Sequence, residues 1–238
     1  MPLNIDLHTH SFFSGDGVSS PEELIDAARR KGLHGFALTD HNTCEGIEYM
    51  LRKGLMREDG FPVNGFLVIP GVEVSTREGH LLCLGITLPN MKGEPALEVC
   101  KAIHARGGLA IPPHPYDYLR AGIRESVLKT LTVDAVEVYN AATTFQYCNR
   151  KAQAYAKTTG LPMIAGSDSH HERSIGAAYT ILETEELTLA NVLRQIVQKN
   201  RLVQNPLSPR DKIRKTWNNW MRLRWRHRMK MKKEWRES

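Results

Sequence analysis

A chain of 238 residues can bury one large core, and α/β barrels of this length are commonly single domains. With 41% hydrophobic and 24% charged residues and no apolar run near the roughly 18 residues that cross a bilayer, the composition excludes a disordered chain and a membrane-spanning helix. The net charge of +6 is uneven: residues 209–238 hold 12 Lys/Arg against 3 Asp/Glu, which makes that stretch +9 and the rest −3, so the basic balance describes an appendage.

In chain order, a short apolar run predicts a strand over 3–7, and an amphipathic pattern predicts a helix over 21–30. Ser20 can cap that helix, Pro21 suits its first position, Glu22 and Glu23 face its positive end, and Gly32 stops it. Further strands are expected over 35–39, 66–70, 80–86, 109–111, 135–139, 162–165 and 178–182, with helices over 96–105, 146–159 and 189–199. This alternation argues for an α/β fold on a largely parallel sheet, open or closed into a barrel. Asn205, Pro206, Ser208 and Pro209 form a breaker cluster, which divides a body of residues 1–205 from a tail of residues 206–238. The N-terminus has no basic segment followed by an apolar one, so a cytoplasmic protein is expected. Cys44, Cys83, Cys100 and Cys148 form no C-x-x-C pair and read as reduced thiols.

The chemistry-bearing residues fall at the strand ends. Asp6-Leu7-His8-Thr9-His10 closes the first strand, Thr39-Asp40-His41 the second and Gly71-Val72-Glu73 the third. Gly79-His80 opens the fourth, while Pro113-His114-Pro115 and Gly166-Ser167-Asp168-Ser169-His170 follow later ones. In a parallel α/β fold the strand C-termini share one face, so most of these motifs point at one cavity. His8 and His10, two apart in extended chain, lie on one side and can share an ion, and Asp168 and His170 repeat that spacing. Imidazoles and carboxylates without thiolates suit catalytic zinc, manganese or iron. His34, His104, His171 and His227 sit in helical or flanking contexts and read as structural. Asp40 is expected to orient a ligand imidazole, and Arg120 to clamp phosphate as a two-pronged donor. Arg173 and Asn140 are further candidates for substrate contact, with turn capping the competing reading of Asn140.

Asp-Leu-His-Thr-His-Ser, Leu-Thr-Asp-His-Asn-Thr, Gly-Val-Glu-Val-Ser, Gly-His, Pro-His-Pro and Gly-Ser-Asp-Ser-His, in this order, resemble the motifs of the polymerase and histidinol phosphatase (PHP) superfamily over residues 1–182. The resemblance implies a distorted (β/α)7 barrel with two or three divalent ions at its C-terminal face. It implies that His8, His10, Glu73 and Asp168 hold one ion and that Glu73 bridges to a second, held also by His80 and His114. Asp16, His41 and His170 would hold the third. Many members place that aspartate five residues after the second histidine; here Asp16 follows His10 by six. Residues 87–108 are too few for the lid domain of longer oligonucleotide-cleaving members, which implies a more open site.

Three divalent ions outweigh three carboxylates and leave a positive site that attracts phosphate. A metal-bridging hydroxide would then hydrolyse a phosphate ester, with no need of a Ser-His-Asp triad. The expected function is a phosphodiesterase acting on nucleotides or nucleic acid ends. The alternatives are a phosphomonoesterase of the histidinol-phosphate type and a metal-binding regulatory module without turnover. In the tail, Ile213, Trp217, Trp220, Met221, Trp225 and Met229 recur at spacings that predict a basic helix with one aromatic stripe. Packing on the body, nucleic-acid contact and docking on an anionic membrane surface all remain open for it.

Overall fold

The computed structural model describes residues 1–207; the helix expected in the basic tail, with its aromatic stripe, lies outside the described residues. Nine strands and six α-helices follow in the order β1 (Pro2–Thr9), α1 (Pro21–Arg30), β2 (Gly35–Leu38), α2 (Glu45–Arg52), β3 (Leu67–Ser75), β4 (His80–Leu84), α3 (Ala96–His104), β5 (Leu109–Ile111), α4 (Glu125–Leu128), β6 (Val136–Asn140), α5 (Gln146–Thr159), β7 (Met163–Gly166), β8 (Ala178–Glu183), α6 (Leu189–Ile196) and β9 (Arg201–Gln204). None of the described helices is long and apolar enough to cross a membrane.

Helix α1 starts and stops where its capping residues dictate. Ser20 Oγ accepts from Glu23 N–H, the Glu23 carboxylate accepts from Ser20 N–H, and Gly32 takes a left-handed φ of 72° past the last turn.

One sheet runs β5-β4-β3-β2-β1-β8-β9, and β6 pairs with β7 beside it. Backbone bonds from Asp134 N to Ala110 O and from Glu137 N to Pro112 O tie β6 to β5. Bonds from Asp168 N to His8 O and from His10 N to Ser169 O tie the end of β7 to β1. The result is a mixed α/β fold on a curled sheet, consistent with a distorted barrel. The largely parallel sheet expected above is corrected. β1-β2, β2-β3 and β6-β7 are parallel, whereas β3-β4, β4-β5, β1-β8 and β8-β9 are antiparallel. Only residues 76–79 join β3 to β4, too few for the crossover a parallel pair needs.

Leu7, Ile69, Leu82, Leu84, Ile111 and Ile164 share one buried cluster with Val192 and Ile196 of α6. Helices α1 and α2 pack on β2 through Leu24, Met50, Phe36 and Leu38, and α3 and α5 cover β4 and β6. Register irregularities occur between Asp6 and Thr9 on β1 and between Glu137 and Tyr139 on β6. Such irregularities re-aim side chains where a strand reaches a site. Leu207 is buried, and its N–H bonds Ala141 O.

Candidate metal centre

The strand-end motifs converge. His8, His10, Glu73, His114, Asp168 and His170 are all buried, while His41, His80 and Asp16 are partly open to solvent. The Glu73 carboxylate stands at the middle. Its Oε2 lies 3.2 Å from both His8 Nε2 and His10 Nε2, and its Oε1 lies 2.7 Å from His80 Nδ1 and 3.1 Å from His114 Nε2. Asp168 Oδ1 is 3.5 Å from His10 Nε2 and 3.9 Å from His8 Nε2. Asp16 Oδ2 is 2.8 Å from His170 Nε2 and 3.6 Å from His41 Nε2.

These spacings fit ion binding. Two donors on one ion at about 2.1 Å stand roughly 3.0–3.4 Å apart at ordinary coordination angles. His41 Nδ1 and His80 Nδ1 face the Glu73 oxygens at 3.3 and 2.7 Å without hydrogen-bond alignment, as lone pairs directed at metal ions do. The donors also form overlapping clusters: His8, His10 and Glu73; His8, His114 and Asp168; His41, Glu73 and His80; His10, His41 and His170. His41 therefore stands between the Glu73 side and the His170 side.

Two residues of these clusters adopt left-handed backbone, His114 at φ 32° and Asp168 at φ 50°. Strain of this kind persists only where the surroundings hold it. For His114 the hold is its N–H bond of 2.7 Å to Glu137 Oε2, and for Asp168 its N–H bond to His8 O.

Glu137 escapes a sequence reading, because Val136-Glu137-Val138 looks like any half-buried strand. It is fully buried. His8 Nδ1–H donates to Glu137 Oε1 at 3.1 Å, which leaves the Nε2 lone pair facing Glu73. Gly166 makes this contact possible: a Cβ there would sit 2.5 Å from His8 Cβ and 2.6 Å from Glu137 Oε1. Removing the carboxylate by Glu137→Gln should weaken metal affinity roughly 10–100-fold, as loss of such supports does, and a metal titration of the variant checks this. His170 Nδ1–H is held in the same way by the Asp168 carbonyl at 3.0 Å.

The remaining candidates divide. Arg120 lies in the site, with Nη2 2.5 Å from Asp168 Oδ2 and Nη1 donating to Asn140 Oδ1 at 3.3 Å. It lines a cavity of about 330 Å³ with Asp16, His41, Glu73, His80, His114 and Leu119. Asn140 is fully buried, and its Nδ2 donates to both Glu137 and Asp168. It therefore positions Asp168 within the buried network. The Asp40 carboxylate takes the Ser11 N–H and hydroxyl, each at 2.7 Å, and anchors the turn after His10. Arg173 is exposed and lines a second cavity with Arg30 and Lys31. His34 accepts from Asn4 N–H, His104 pairs with Asp134, and His171 pairs with Glu172, all structural contacts. His227 lies outside the described residues. The cysteines are free thiols.

Burial would push His8 down, but Asp168, Glu137 and Glu73 raise it well above the usual histidine range. His10 is raised against its burial by Asp168 and Glu73. Against burial of their own, Glu73 is held well below the carboxylate range by His41, His8 and His80, and Asp16 is held far below it by His170 and His41. Burial lowers His114 and pushes Asp6 up to about 6, although Ser167, Gly176 and His8 N–H groups donate to the Asp6 carboxylate.

A model of the PHP-associated family matches residues 146–200. An uncharacterized protein of Methanocaldococcus jannaschii is 34% identical over 150 residues, which cover 58% of this chain and 82% of that protein. The chain belongs to the PHP superfamily of metal-dependent phosphoesterases. A 5'-3' exoribonuclease of Haemophilus influenzae is 33% identical over 133 residues, 51% of this PHP chain and 46% of that enzyme. The lesion-specific endonuclease Q of Pyrococcus furiosus shares the fold, with a TM-score of 0.66 at 21% identity over 88% of this chain and 60% of that one.

Proposed function

We propose that this PHP protein is a phosphodiesterase acting on nucleotides or oligonucleotide ends. The observation that carries the reading is the central position of Glu73, whose two oxygens serve two separate sets of imidazoles within 3.2 Å. In this reading His8, His10, Glu73 and Asp168 would hold one divalent ion, Glu73, His80 and His114 a second, and Asp16, His41 and His170 a third. Zinc, manganese or iron, when bound, would act as a Lewis acid on phosphoryl oxygens and lower the pKa of the attacking water. The ring β1 to β7 would then be the seven-strand wall of a (β/α)7 barrel, with β8 and β9 added outside β1.

The chain's own groups supply orientation. Glu137 fixes the His8 tautomer, and Asn140 and Arg120 hold the outer oxygen of Asp168. Arg120 has donors beyond those two bonds to offer a phosphate in the cavity, and its planar fork matches two phosphate oxygens at once. Arg120→Ala should raise KM and lower kcat/KM by roughly a hundredfold, with Arg120→Lys restoring only part, as expected when a two-pronged donor becomes a point charge. Steady-state kinetics of both variants checks this.

The deciding experiment compares bis(p-nitrophenyl) phosphate with p-nitrophenyl phosphate, with manganese and with chelator. Manganese-dependent cleavage that favours the diester is expected. Turnover of the monoester alone would point to a phosphomonoesterase, and no turnover of either by the loaded protein would sink the enzymatic reading.

A further inference from the structure

Exposed apolar side chains gather on two segments, one of which lines the metal cavity through Leu119. Among the described residues seven large hydrophobic side chains are exposed, and four of them, Tyr118, Leu119, Phe145 and Tyr147, fall on two segments. Those segments are tied together. Buried Asp117 accepts from the Thr143 hydroxyl at 2.9 Å and from Thr144 N–H at 2.6 Å, and Leu119 lines the cavity beside Arg120. Scattered exposed aromatics are ordinary, but a group of them at the mouth of a site marks a contact surface.

The chemistry around this rim favours one occupant. The Arg124 guanidinium lies 5.2 Å over the Tyr118 ring, and the Lys151 ammonium lies 4.4 Å over the neighbouring Tyr116 ring. Arg120 stands at the cavity wall. The course of the chain adds a second, independent observation. The Leu207 N–H bond to Ala141 O fixes the last described residue beside the segment that carries Phe145 and Tyr147. Residues 208–238, which follow it in the sequence, hold 12 Lys/Arg and all four tryptophans of the protein. Flat aromatic faces with Arg124, Lys151 and Arg120 around them match a single-stranded nucleic acid, whose bases stack while its phosphates meet positive charge. An apolar protein segment would use the rings but not the cations.

We propose that Tyr118, Phe145 and Tyr147 form a platform on which the bases of a single-stranded nucleic acid stack as its phosphate enters the Arg120 cavity. This deepens the phosphodiesterase reading and rests on it for the identity of the cavity.

The test is fluorescence anisotropy of the full chain with two labelled octamers, both linked by phosphorothioates that resist cutting: one of thymidine, the other abasic on the same backbone. The thymidine strand should bind roughly tenfold or more tightly, as stacking of even one or two bases provides. The triple variant Tyr118→Ala/Phe145→Ala/Tyr147→Ala should lose that preference while keeping its affinity for the abasic strand. Phe145→Ala alone, at an exposed position, should lose part of the preference and guards against misfolding of the triple variant. Deleting residues 209–238 should weaken both strands and leave the preference intact. Equal affinity of the two strands for the unaltered protein overturns the proposal, as does a triple variant that keeps the preference or a deletion that abolishes it. Turnover of bis(p-nitrophenyl) phosphate decides the phosphodiesterase reading separately: base-dependent binding without any turnover would sink that reading and leave the platform standing.

Discussion

Glu73→Gln is expected to lower kcat/KM on bis(p-nitrophenyl) phosphate by roughly a thousandfold or more, the scale of losing a central electrostatic group from an active site. The amide keeps the shape but carries no charge, and it offers one oxygen where Glu73 offers two, facing His8 and His10 on one side and His80 and His114 on the other. Elemental analysis should find the variant short of more than one ion per chain, since both imidazole sets lose their shared carboxylate. In the metal-free protein the same change takes a counter-charge from buried His8 and His10, a loss of about 3–5 kcal/mol by the usual cost of breaking a buried pair. A variant that kept its full metal content and worked within tenfold of the unaltered protein would remove Glu73 from the centre of the scheme.

Withdrawal of metal should abolish turnover and also reverse the pH dependence of stability. In the metal-free protein His8 and His10 are raised, so their contribution is present below about pH 6.5, the ordinary histidine value, and is lost as pH climbs through their folded values. Glu73 is lowered, so its contribution is present above about pH 4.5 and disappears as pH falls through its folded value. The metal-free protein should therefore melt highest in weak acid. Ions must displace the protons on His8 and His10, so loading releases protons and tightens as pH rises. At a hundredfold excess over its Kd each ion adds about 2.7 kcal/mol, and each kcal/mol moves the melting temperature by roughly 2–4 °C in a protein of this size. Scanning calorimetry across pH, with manganese and with chelator, measures both effects; identical melting profiles in the two conditions would contradict them.

Elements legible in the sequence were those specified by local rules. The helices Pro21–Arg30 and Gln146–Thr159 have the expected bounds because caps, breakers and periodicity act over a few residues. The helix Glu45–Arg52 was missed: Cys44 supplies no side-chain cap and the segment follows directly on the His41 motif. The strand Arg201–Gln204 was missed because its alternation is weak and only partly buried. The only local trace of the antiparallel β3-β4-β5 stretch is the four-residue link between β3 and β4.

The same division runs through the site. By itself the amino-acid sequence offered nine candidate donors, six strand-end histidines with Asp16, Glu73 and Asp168, and the structure brings their side chains together around Glu73, Asp168 and Asp16. It could do so because ligand motifs must be short and must follow strands, and both properties are local. Only the tertiary structure decided that Glu137 supports His8 across 129 residues of sequence, that Asp40 serves Ser11, and that Arg120 faces the cavity while Arg173 lines a second one. Those roles depend on which strand lies beside which and on how each chain segment leaves its strand. Packing of the whole sheet fixes both, and no local signal in the chain encodes them.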